Sequence, residues 1–125
     1  MSTVIPNPRV YAPGADITAL ATAVVTARRF VGISGNRAPG GNLSVAHAPA
    51  AARAFGVAAH DAALGELVTV ARGGIVKVTA AATIAAGAEV EVGANGQAIT
   101  RTSGVAVGYA VTAATSGTAA EIALL

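Results

Sequence analysis

In the stretch GVAAHDAALGELVTVARGG, residues 56–74, His60 and Asp61 are the only His-Asp neighbours in the chain. A hydrolytic triad needs an Asp hydrogen-bonded to a His that in turn reaches a nucleophile. Neighbours on a strand point to opposite faces, so His60 and Asp61 could make that bond only where a turn swings them together. The nucleophile-like context is GISGN, where Gly32, Ser34 and Asn36 fall one glycine short of a G-x-S-x-G elbow and no strand-to-helix transition follows. His60 and Asp61 are therefore read as a solvated turn, and no catalytic residue is assigned. Activity lost on changing Ser34, His60 or Asp61 would be the mark of an enzyme.

The remaining candidates are weaker. In GNRAPGGN, Gly35 and Gly40 have the G-x-x-x-x-G spacing of a phosphate loop, but Gly41 and Asn42 stand where Lys and Ser or Thr are required. No helix begins there to aim its N–H groups at a phosphate, so the segment reads as a surface loop. His47 and His60 are 13 residues apart (60 minus 47), and there is no cysteine and no spaced acidic cluster, so neither a metal nor a cofactor is expected. Asn42-Leu43-Ser44 matches a glycosylation sequon, a pattern too frequent to carry weight. Arg28-Arg29 is the one basic cluster, and the net charge is only +2 with two Tyr, two Phe and no Trp. The high isoelectric point, about 9.7, comes from scarcity of acids, so no direct nucleic-acid partner is expected.

Composition says how such a chain can be stable. Charged residues make up 11% and hydrophobic residues 54%, against about 25% charged in an average soluble domain, so Ala, Thr, Gly and Ser must cover much of the outside. Aromatics are 3%, which leaves the core to Val, Ile, Leu and Ala, side chains that bury little area each. Short of both surface charge and bulky core residues, the chain is expected to work as a subunit with partners against its exterior. No apolar run approaches a membrane span, and the N-terminus lacks a basic region followed by an apolar one, so neither a membrane segment nor a secretory leader is expected.

The elements expected are all β. Residues 1–14 carry Pro6, Pro8 and Pro13 and no periodic pattern, so they form an extended arm; residues 15–125 form a single β domain. DITALATAVVTARRFVGIS is read as two short strands, LSVAHA and RAFGVAAHD as one each. ELVTVARGGIVKVTA is expected to be a hairpin turning at Gly73-Gly74, with Val68 and Val70 on one face and Val76 and Val78 on one face. AEVEVGANGQAIT is expected to be a second hairpin turning at Asn95-Gly96, with Val90 and Val92 on one face and Glu89 and Glu91 on the other. GVAVGYAV and AAEIALL close the fold, with Ala120, Ile122 and Leu124 on one face. Gly56, Ala58, Ala62, Gly65 and Val70 recur as Gly108, Ala110, Ala114, Gly117 and Ile122 at a spacing of 52 (108 minus 56). Two similar corners of one small barrel are the expected result.

One family shares this order of elements. Gly56-Val57-Ala58, Asp61, Gly65, LVTVARGGIVKV, Ala86-Gly87 before AEVEV, and the closing Gly-x-Ala repeat ending in an apolar strand together resemble the capsid cement, or head decoration, proteins of tailed bacteriophages. The resemblance implies a small β-barrel or β-tulip-like subunit, made in the bacterial host cytoplasm and added to the outer surface of the mature head. It also implies a homotrimer at three-fold or quasi-three-fold positions and the major capsid protein as partner. In such families an extended N-terminal segment often reaches the capsid, which gives Val4, Ile5, Pro6, Arg9 and Tyr11 as the contact residues here. The alternative is a phage or bacterial surface β-domain that binds sugar or peptide, a role for which few aromatics are present to stack on a sugar.

Overall fold

A computed structural model describes residues 8–125. Ten strands follow one another: β1 Ile17–Ala21, β2 Phe30–Gly35, β3 Leu43–His47, β4 Gly56–Ala58, β5 Leu67–Ala71, β6 Ile75–Thr79, β7 Glu89–Val92, β8 Ala98–Thr100, β9 Gly108–Ala110 and β10 Ala119–Leu124. The only helical element among the described residues is a 3-10 turn at Ala94–Gly96. The expected all-β class is what the chain adopts.

The first five strands close on themselves in the order β1-β3-β2-β4-β5, with β5 returning antiparallel to β1 and β3 lying parallel to β1. A barrel of so few strands is narrow and accepts only small interior side chains. Ala19, Ala21, Ala58 and Ala62 supply them, packed with Val25, Val31, Val45, Val68 and Val70. The shortage of large residues is thus the condition for closing the barrel. The other five strands form a sheet in the order β6-β10-β9-β7-β8, and a lone parallel bridge from Ala80 to Ala98 draws its two ends together.

The second sheet repeats the first strand by strand. β1 against β5, β5 against β4, β4 against β2 and β2 against β3 recur as β6 against β10, β10 against β9, β9 against β7 and β7 against β8. The residues spaced by 52 sit in equivalent places. Gly56–Ala58 is β4 and Gly108–Ala110 is β9; Ala62 bridges Val25 as Ala114 bridges Ile84. Gly65 and Gly117 turn the chain with φ of 85° and 83°. The repeat therefore marks corresponding corners of two successive five-stranded units, not two corners of one barrel.

A second expectation also changes. β5 and β6 do not pair: β5 belongs to the first sheet and β6 to the second, where it lies against β10. Gly73 and Gly74, with φ of 77° and 74°, carry the chain from one sheet to the other. Alternation tells which face a residue takes, not which strand lies beside it. The β7-β8 hairpin forms as expected, turning through Asn95 and Gly96 with Val92 opposite Ala98. The strand expected over RAFGVAAHD shrinks to Gly56–Ala58.

The two units share a core. Phe30, Ala48 and Val57 from the first pack with Val78, Ala80, Ile84, Val90, Val92 and Ile122 of the second. Two of the repeated glycines, Gly56 and Gly108, stand where neighbouring strands pass close. A Cβ on Gly56 would lie 2.5 Å from Val70 Cγ1 and 2.6 Å from Ala71 O, and one on Gly108 would collide with Ala123 O and lie 2.7 Å from Ile122 Cγ2. Gly56→Ala and Gly108→Ala are each expected to lower the unfolding free energy by about 1–3 kcal/mol through overpacking. Gly35→Ala, whose Cβ would meet nothing within 4 Å, is expected to stay within about 0.5 kcal/mol. Denaturant midpoints of the three variants check both statements.

Candidate functional site

The residues with chemical potential gather at the rim of the first barrel, and there they hold backbone. Val25 and Ala62 exchange hydrogen bonds of 2.8 and 2.9 Å, leaving the N–H groups of the flanking turns to find acceptors. Asp61 Oδ1 accepts from Ala27 N–H at 2.7 Å, His47 Nε2 from Thr26 N–H at 2.9 Å, and Glu66 Oε1 from Ala63 N–H at 2.7 Å. His60 Nε2 accepts from Thr69 N–H at 3.2 Å. With Nε2 an acceptor, the neutral His60 ring carries its proton on Nδ1 and donates it to Asp61 O at 2.9 Å. His60 and Asp61 thus meet through the backbone, in the turn beyond β4 and not on a strand. Ser34 Oγ lies 2.6 Å from Thr22 Oγ1, and no hydrogen bond joins the side chains of Ser34, His60 and Asp61. In the second unit, hydroxyls do comparable work: Thr118 Oγ1 accepts from Thr115 N–H at 3.2 Å, and Ser116 Oγ donates to Ala81 O at 3.0 Å.

The loop 35–42 closes on itself. Ala38 N–H donates to Asn42 O and Gly41 N–H to Ala38 O, both at 2.8 Å, while Arg37 Nη1 donates to Gly41 O at 2.6 Å. These N–H groups are engaged and do not cradle a phosphate. Arg28 and Arg29 stand where the units join: Arg28 O accepts from Thr79 N–H at 2.9 Å and Arg29 Nη1 donates to Asn95 O at 3.0 Å. No group of three or more His, Cys, Asp or Glu is placed to hold a metal among the described residues.

Of the arm residues singled out in the sequence, Val4, Ile5 and Pro6 lie outside the described residues. Arg9 and Tyr11 are exposed. The Tyr11 ring lies 5.8 Å from the guanidinium carbon of Arg37, whose Nη1 also donates to Tyr11 Oη at 3.3 Å. Tyr11 is therefore docked on the loop 35–42 while its side chain still faces solvent.

One buried acid was not foreseen. Glu91 is on the face of β7 that alternation assigns it, yet only 2% of its surface is exposed, because residues 101–104 fold over it. Glu91 Oε1 accepts from Thr102 N–H at 2.6 Å and Thr102 Oγ1–H at 2.8 Å. Gly104 comes so close that a Cβ there would collide with Glu91 Oε2. Arg101 ties the loop down, Nε donating to Gly104 O at 2.9 Å and Nη1 3.6 Å from Glu89 Oε2. The Thr102 N–H and hydroxyl hold the Glu91 carboxyl below its usual pKa, helped by the Ser103 and Gly104 N–H groups and opposed by burial under this thin cover. The sequence clue was Thr-Ser-Gly after the hairpin, three residues suited to turning their N–H groups toward an anion.

Comparison with known proteins agrees with the fold. The family model described as a phage cement protein matches residues 11–125. Among solved structures, the N base of head fiber gp8.5 in bacteriophage phi29 is similar at a TM-score of 0.76 and 24% identity, over 89% of this chain and 93% of that chain. At that identity the likeness is one of fold. A search of the curated proteins found no match.

His47 at the rim and Glu91 under its loop are both held below their ordinary pKa values. Burial, and then the nearby Arg29, lower the pKa of His47 from its ordinary 6.5. A lowered pKa means that the native state resists protonation, so the contribution of His47 is full above 6.5 and is lost as pH falls through the lower folded value. For Glu91 the same sign applies below 4.5. Thermal midpoints measured against pH are expected to fall in two stages. His47→Gln, which keeps an acceptor, is expected to remove the first, and Glu91→Gln the second. A midpoint flat across the His47 window would contradict the lowering by burial and Arg29.

Proposed function

The chain belongs to the phage cement protein family, and from that premise we propose that it is a structural virion protein that binds the outside of the mature phage head. In this reading it bridges adjacent major capsid subunits, as a homotrimer at three-fold or quasi-three-fold positions, and catalyses nothing. The observation that carries the reading is the family match across residues 11–125. The geometry is consistent with it: the side chains able to do chemistry at the barrel rim are held by backbone N–H groups.

Packaged DNA presses outward on a shell held by many modest interfaces. A rigid body fixed to several subunits at once raises the free energy needed to separate them. Three weak attachments on one trimer act together, because the second and third become intramolecular once the first has formed, an avidity gain on the order of 10² to 10⁴. Residues 15–125 dock as one body, and the arm, residues 1–14, reaches the underlying capsid protein with Val4, Ile5, Pro6, Arg9 and Tyr11 as contacts. Arg37 places Tyr11 at the base of that arm with 41% of its surface exposed. An extended arm binds by pairing its main chain with a sheet edge, and its apolar residues give the register.

The test is to add purified protein to heads that lack it and image them by electron cryomicroscopy. Density repeated at three-fold positions, with a higher temperature of head disruption, is the expected outcome. Ile5→Asp is expected to weaken decoration, whereas His60→Ala is not. Heads that stay bare would overturn the proposal.

A further inference from the structure

Beside β2 runs a groove of about 480 Å³ whose lining includes Ile33, Pro49, Ala54, Phe55, Arg53 and Arg72 and contains no acidic residue. Three features of it point to one kind of occupant. Arg72 is fixed in place: its Nε donates to Phe55 O at 2.8 Å and its guanidinium carbon lies 4.3 Å from the centre of the Phe55 ring. Among the described residues, that arrangement leaves the two Nη groups, the edge that grips a carboxylate in a two-pronged bond, without a partner. Arg53 has no hydrogen bond or ion pair among the described residues. Two cations therefore face an apolar floor with no anion among the described residues to balance them.

The third feature is backbone. On its β4 side, β2 is paired only at Phe30 and Val31, the last link being Phe55 N–H to Val31 O at 2.8 Å. Beyond it, β2 continues with β3 on the other side alone, and Ile33 is 54% exposed. An unpaired edge of this kind accepts an extended segment by main-chain hydrogen bonds. The arm of a second copy does not suit the groove, because residues 1–15 contain no Asp or Glu and carry Arg9. Like charges would meet there.

We propose that this groove docks an extended segment of a capsid subunit that carries a carboxylate among apolar residues. Its main chain pairs with β2 at Ile33 and its carboxylate bridges Arg53 and Arg72. The proposal rests on the cement function proposed above and gives the fold a second attachment, separate from the arm.

The experiment titrates labelled full-length protein onto heads that lack it. Arg53→Glu, an exposed and unpartnered position, is expected to leave the melting temperature unchanged and weaken binding about tenfold or more. A photo-crosslinking residue in place of Ile33 is expected to join a capsid peptide containing Asp or Glu, identified by mass spectrometry. Wild-type binding with equal affinity for Arg53→Glu would overturn the groove while leaving the cement function standing. So would a cross-link to a second copy, or to no capsid peptide. Failure of the wild-type protein to decorate heads would remove the cement function, and the groove proposal with it.

Discussion

The structure depends on one buried ring. Phe30 is fully buried, and although it belongs to β2 of the first barrel, it shares a core with Val78, Ile84, Val90 and Ile122 of the second unit. A buried Phe contributes about 1.5–3 kcal/mol relative to an exposed one. Phe30 is the largest fully buried side chain in a chain whose other core residues are mostly Ala and Val. Backbone bonds line the same seam: Thr79 N–H to Arg28 O at 2.9 Å, Ala51 N–H to Val92 O at 2.8 Å and Val105 N–H to Ala51 O at 3.1 Å. Ala51 holds φ at 64°, a left-handed conformation that costs a non-glycine residue about 1–2 kcal/mol, and both of its hydrogen-bonding groups serve the seam. The strain and the two bonds belong together. A relaxed Ala51 would turn one of those groups away.

Strands and turns were legible because their signals are local. Alternation at Val68 and Val70 and at Val90 and Val92, and the Asn95-Gly96 turn, are set by residues near in sequence. The repeat at a spacing of 52 was legible too, since the same glycines must pass the same strands in both units. Partnership between strands was not. Gly73-Gly74 looks like a hairpin turn from the sequence and is a crossing between sheets, because β5 is already held on both edges by β1 and β4. Closure of a narrow barrel is a long-range condition that a local window does not contain.

The rim chemistry divides in the same way. His60 and Asp61 lie in the turn beyond β4, where both are engaged with backbone and do not form a triad. What they do instead depends on Ala27 and Thr69, distant in sequence, whose N–H groups need acceptors once the barrel has closed. Glu91 is the sharper case, since alternation gave its face correctly and its burial was missed. A loop eleven residues further on covers it (102 minus 91), and that loop's N–H and hydroxyl donors make a buried carboxylate tolerable. Charged groups in this protein are few, and the two buried polar residues, Ser44 and Glu91, both bond backbone.

Low charge then has a use beyond close packing. With six acids and eight basic residues, each unbalanced ion stands out against an Ala-rich and Thr-rich surface, and its position carries information. Arg37 lies against Tyr11, Arg29 reaches Asn95 across the seam and Arg101 stands beside Glu89. Arg53 and the outer edge of Arg72 are left facing the same apolar groove. A surface crowded with exchanging salt bridges would blur such a pair, since exposed ion pairs are individually worth little and readily replaced. A rigid body also arrives at its partner with its side chains already ordered, so less freedom is lost on docking. Phe55 makes that concrete: by stacking under Arg72 and accepting from its Nε, it fixes the guanidinium before any partner is present. Scarcity of charge thus leaves Arg53 and the outer edge of Arg72 standing apart, without an anion among the described residues, on an otherwise uncharged groove.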